Sequence, residues 1–152
     1  MQSDTWKLYN WFNGKTEDRI LNWRNYRKNL QSDYVSQVAA DWAQCPLEHR
    51  YLNLDDPTDW PDAWTLIGAG HYCDCARALG MFYTLYYSSY RHRDTMVLQC
   101  YKDRKNHQYL NLVNCESGKY MLNYQLGAVV NISTIGPEAD LINTVTIDHL
   151  PV

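Results

Sequence analysis

Cys75, His107 and Asn123 are side chains of the types that acyl transfer through a thiol requires. A thiolate attacks a carbonyl or carboxamide carbon, an imidazole takes and returns the proton, and an amide or acid holds the imidazole in one tautomer. Cys75 falls at the start of DCARALGMFYTLYYSSY, where the unpaired N–H groups of a helix N-terminus favour a thiolate. His107 opens the alternating segment HQYLNLV, and Asn123 lies near the end of the next one, KYMLNYQ. Cys73 is the rival nucleophile, and Asp74 between the two cysteines opposes a thiolate at either. The same residues also have a plain reading. Cysteine often behaves as a small buried hydrophobe, and Cys75 is in line with Leu79 and Phe82 as a core position would be. His107 then reads as a solvated strand-start residue and Asn123 as an ordinary strand-end amide.

Two further groups invite a metal reading. His71-x-Cys73-x-Cys75 has zinc-preferring types but no second ligand pair, since Cys45, Cys100 and Cys115 stand singly. Asp55, Asp56, Asp59 and Asp62 lack the spacing of a calcium loop, and the neighbouring Pro57 and Pro61 make turn chemistry the better account. No metal and no cofactor is expected.

The elements that must position these residues change character along the chain. Thr16 is placed to cap a helix with Glu17 and Asp18 in its first turn. Ile20, Trp23, Tyr26, Leu30, Tyr34, Val38 and Trp42 follow at three- and four-residue steps, one apolar stripe on a helix or on two helices bent at Ser32-Asp33. A short helix starting at Asp59 or at Trp60-Pro61 runs through Ile67, and Gly68-Ala-Gly70 breaks it. The buried helix behind it starts from Asp74 as cap. After Asp94 the period becomes two: TMVLQCY, HQYLNLV, KYMLNYQ, AVVNIST and the closing LINTVTIDHLPV read as strands. The class is therefore α+β, one domain over 1–152, in which a helical N-terminal half (1–69) packs on a second part (70–152) made of the Cys-helix and an antiparallel meander.

Helix with an N-terminal cysteine, strand, strand opening with histidine, turn, and strand ending in an acid or amide resembles the transglutaminase-like branch of the papain-like cysteine fold. The pieces that carry the resemblance are HYCDCARALGMFYTL, TMVLQCY, HQYLNLV and SGKYMLNYQ, over residues 70–126. It implies Cys75 as nucleophile, His107 as base and Asn123 in place of the usual aspartate. It also implies an activity of amide hydrolysis or acyl transfer. Gln108 stands where the family usually has a small residue after the histidine. A second resemblance is carried by LNWRNYRKNLQSDYVSQVAADWAQCPLEHRYLNLDDPTDWPDAWTLI and ALGMFYTLYY, which look like small proteins carried by tailed bacteriophages. It implies a virion or assembly role in the neck, tail or baseplate region, with the chain made in the host cytoplasm.

Composition narrows the field further. A net charge of −3 with no dense basic run argues against a nucleic-acid binder. No apolar run spans a bilayer, and the N-terminal residues lack a signal-peptide pattern. The 152 residues include 13 Tyr, 6 Trp and only 2 Phe, and every Trp lies between Trp6 and Trp64. Polar-tipped rings suit interfaces, so protein partners are expected to dock on the Trp-rich N-terminal half, with several copies in a larger assembly. The competing expectation is that these rings cap a small core. A structural assembly protein thus ranks ahead of a cysteine-dependent amide hydrolase or acyltransferase.

Overall fold

A computed structural model describes residues 4–31, 33–52 and 56–152. Ser32 and Asp55, named above as a bend point and as part of the acidic run, lie outside the described residues. The described helices are α1 (Asp4–Tyr9), α2 (Thr16–Lys28), α3 (Tyr34–Trp42), α4 (Ala63–Ala69), α5 (Asp74–Tyr86) and α6 (Ile132–Ile135). The strands are β1 (Val97–Asp103), β2 (Tyr109–Cys115), β3 (Tyr120–Leu122), β4 (Val129–Val130) and β5 (Ala139–Val145). They form one antiparallel sheet in the order β4-β3-β2-β1-β5, so the class is α+β as expected. No described helix is long and apolar enough to cross a membrane.

The apolar stripe of the first half divides between α2 and α3. Asp33 begins the second of these helices, its side chain accepting from the Ser36 backbone N–H at 3.3 Å. Local chemistry shifts several other starts by a residue or two. Lys15, not Thr16, holds the N-cap position of α2, and the Thr16 hydroxyl donates instead to the Gly68 carbonyl at 3.3 Å. Asp62 caps α4 by accepting from the Thr65 N–H at 2.8 Å, so that helix starts at Ala63 rather than at Asp59 or Trp60. Gly70 ends it in the left-handed region at φ 74°, and a Cβ there would lie 2.7 Å from the Arg19 Nε. Cys73, not Asp74, is the N-cap of α5, which frees the Asp74 carboxylate for longer-range partners. AVVNIST is strand only at Val129–Val130. Its Asn131 accepts from the Ser133 N–H at 2.9 Å and turns the following residues into α6.

α5 is the central pillar, buried from Cys75 through Leu85. Gly80 is what lets it sit so deep: a Cβ there would lie 2.2 Å from the Trp42 ring, so only glycine admits that indole. Above it, the Thr84 hydroxyl accepts the indole N–H of both Trp23 and Trp42 at 3.0 Å and donates to the Gly80 carbonyl at 2.7 Å. Two large rings are thereby buried with their polar tips satisfied. Tyr26 donates to Asp41 Oδ2 at 2.6 Å in the same interior, and its phenol is held well above its ordinary range, first by burial and then by the Asp41 charge.

One apolar cluster runs from Trp6 to Leu150 and takes in helices α1 to α5 and the inner sheet face, with Leu98, Val113, Cys115, Leu122 and Val145. A smaller cluster of Tyr101, Leu112, Met121, Ile135 and Ala139 covers the outer face. Trp6, Trp11, Trp23, Trp42 and Trp60 are all buried in the chain's own interior. The expectation that the Trp-rich half presents these rings to a partner is corrected for five of the six. The reason is that α1 and the segment after it fold back, so that Trp11 meets Trp6, Tyr26 and Trp42 at centroid distances of 5.1, 4.5 and 5.2 Å. Trp64 is the exception at 43% exposed.

Candidate functional site

The N-terminal end of α5 gathers the chemistry-bearing residues. Cys73 and Cys75 face a groove of about 480 Å³, whose other walls include Leu47, Arg50, Tyr109 and Asn111. Cys75 also borders a small internal void of about 20 Å³ shared with Trp60, Leu98 and Cys100, which is room for roughly one water. Its thiol is buried, and its pKa is pushed up, first by burial and then by Cys73, Asp74 and Cys100 nearby. The N-terminal position that favours a thiolate is thus outweighed by desolvation. Cys45 is likewise pushed up to about 11 by burial, with the Arg77 guanidinium pulling in the other direction.

The polar side chains at this helix end bond to one another. Asp74 Oδ2 accepts from Asn111 Nδ2 at 2.9 Å, while its Oδ1 accepts from Arg77 Nη2 at 3.1 Å and from Asn123 Nδ2 at 3.2 Å. Arg77 Nε donates to Asn123 Oδ1 at 2.8 Å, and Asn123 Nδ2 also reaches the Asn111 carbonyl at 2.9 Å. The result is a ring of Asp74, Arg77, Asn111 and Asn123 that joins α5 to β2 and to the residue after β3. Arg77 is almost wholly buried, so its charge needs the carboxylate and the amide that flank it. Asn123 adopts φ 73°, a conformation asparagine tolerates better than most residues, and the ring holds it there.

Of the residues singled out from sequence, Cys73, Cys75 and Asn123 come to this helix end. His107 stands outside the residues that line the groove. It sits in the turn between β1 and β2, exposed and at φ 57°, with its backbone N–H donating to the Asp103 carbonyl at 2.9 Å. Its successors Gln108 and Tyr109, not His107, form the groove wall. Among the described residues no hydrogen bond links its ring to Cys75 or to Asn123. The residues that sequence reasoning passed over are Asp74 as a hub, Arg77 and Asn111. Asp74 and Arg77 at i and i+3 were a readable helix pair. Asn111 was visible as the one polar member of the inward-facing series Asn111, Val113 and Cys115 on β2.

A second polar cluster lies toward the other end of the pillar. Glu116 accepts from the Tyr90 hydroxyl at 2.8 Å and approaches His92 Nε2 at 3.5 Å, tying the stretch after α5 to the β2–β3 turn. Comparison of the chain with protein-family models and with curated proteins gives no match.

Proposed function

We propose that this chain is a structural assembly protein of the kind carried by tailed bacteriophage particles, in the neck, tail or baseplate region. In this reading its core is transglutaminase-like and its cysteine position has become part of the packing. The observation that carries the non-catalytic half of the reading is the closed ring at the start of α5. Asn123 gives its carbonyl oxygen to Arg77 Nε and its N–H groups to Asp74 and Asn111, and none of its hydrogen bonds goes to an imidazole. Beside it, the Cys75 thiol is held protonated by burial, and a protonated thiol is a poor nucleophile. Surface composition supports the docking half. Trp64 packs against Tyr87 at 5.0 Å, and the Arg27 guanidinium lies over the half-buried Tyr87 ring at 5.8 Å. Trp, Tyr and Arg are the residue types that carry most binding energy at protein interfaces.

Two measurements test the reading. Alkylation of Cys75 in the folded protein, followed against pH by mass spectrometry, is expected to stay slow until well above the ~8.5 of a free thiol. Fast labelling at neutral pH that His107→Ala abolishes is the result that favours the amide hydrolase or acyltransferase instead. Quantitative mass spectrometry of purified particles is expected to find the chain at a fixed copy number, and its absence from them overturns the assembly role.

A further inference from the structure

The two edges of the sheet are finished differently. On one side β4 is only two residues long, and the chain turns at once into α6, whose Ile132 N–H donates to the Gly118 carbonyl at 2.8 Å. A short edge running into a helix offers little to a passing strand. On the other side β5 is seven residues long and, among the described residues, pairs only with β1. Five consecutive residues of it, Asp140 to Thr144, are exposed, and Leu141 and Ile142 are open to 51% and 50%. A free edge with apolar side chains is a template for another strand, because an edge strand leaves a row of N–H and C=O groups unpaired on its outer side.

We propose that β5 pairs antiparallel with β5 of a second copy of this chain, joining two five-stranded sheets into one across a two-fold axis. The charges of the strand select this occupant. Asp140 is its one charged side chain, and Arg104 already holds it, with Nε at 3.0 Å and Nη2 at 2.6 Å. The guard that a lone edge charge would provide against self-pairing is therefore neutralised from within the chain. In the antiparallel arrangement Asp140 of each copy faces the uncharged Thr144–Thr146 end of its mate, whereas parallel pairing sets Asp140 on Asp140. A charged partner strand finds nothing to answer it between Leu141 and Thr146, while an identical strand matches its apolar and hydroxyl-bearing residues. The register shift between Cys100 and Tyr101 leaves Ile142 as the extra residue on β5. A bulge ordinarily protects an edge by twisting it. Here the residue it adds is apolar, so it contributes sticking surface at the middle of the strand. Such a contact is closed by its two-fold and needs no further copies.

This dimer stands or falls separately from the assembly role, and its test uses the full chain in solution. Sedimentation over a range of concentrations is expected to show a reversible species of twice the monomer mass. Hydrogen exchange is expected to slow at the amides of 140–145 as concentration rises, with the β3–β4 segment unchanged. Leu141→Lys and Ile142→Lys place like charges across the axis and are expected to raise the dimer dissociation constant by about tenfold or more. Leu8→Lys, at an exposed leucine of α1, is expected to leave it unaltered. A chain that stays monomeric throughout overturns the proposal, as does a dimer whose mass and β5 amide protection survive both lysine variants.

Discussion

The helical half and the last strand treat their apolar residues in opposite ways. From Trp6 to Trp60 the chain folds its largest rings inward around α5 and satisfies the polar tips of Trp23 and Trp42 on a single hydroxyl. At β5 it leaves two aliphatic side chains in solvent on a free edge. An abundance of tryptophan therefore marks the interior of this protein, and modest residues in a short strand mark its open surface. The lesson is that ring content reports how much area a segment has to hide, while the sheet order reports where hydrogen-bonding capacity is left over.

Mutations on the two sides sharpen that contrast. The largest effect is expected from Trp42→Ala, which empties the space above Gly80 and is expected to cost about 3–5 kcal/mol, read from denaturant unfolding. In that background Gly80→Ala should lose most of its own penalty, because the ring it strikes is gone. Next comes Thr84→Val, which keeps the shape but strands two buried indole N–H groups. Leaving such donors unmet costs about 1–3 kcal/mol each, and the change should appear as a lower midpoint with an unaltered denaturant slope. At the other extreme, Ile142→Lys is expected to change the stability of the monomer by less than about 0.5 kcal/mol, measured at concentrations where only monomer is present. A large loss from that exposed position would erase the distinction between the two regions.

The interior also sets an alkaline limit. Burial pushes Cys45 from an ordinary 9.0 to about 11 and Cys115 to about 12, so both thiols must be protonated in the folded chain. A folded-state pKa above the unfolded one contributes stability that is whole below the unfolded value and is lost as pH rises past it. Thermal melting temperature is thus expected to be level below about pH 9 and to fall between about 9 and 12. Cys45→Ala should soften that fall, and a melting temperature that rises with pH over this range would contradict the account.

Much of the fold was legible because period follows exposure. The stripe from Ile20 to Trp42 reports one buried face, and the shift to period two after Met96 reports strands, although those strands bury residues on both faces of the sheet. The exceptions are local contests between propensity and capping. Val129-Val130-Asn131-Ile132 has β-branched residues, yet the asparagine side chain satisfies a helix N-terminus better than a strand would use it. Of the candidate site, the cysteines and Asn123 were visible as residue types, but their partners were not. Arg77 and Asn123 are far apart in the chain, and nothing in residue spacing says that an arginine three positions into a helix will occupy the amide that was expected to hold a histidine.

What the sequence by itself determined is the class and the order of parts: helices first, an antiparallel sheet after, and a buried cysteine helix between them. Those follow from periodicity and turn chemistry, which act within a few residues. Only the tertiary structure decided that five of the six tryptophans face inward, that Arg77 rather than an imidazole bonds Asn123, and that β5 is the long edge strand and β4 the short one. Each of these depends on which distant surfaces meet, and burial, desolvation and free backbone groups exist only once they have met.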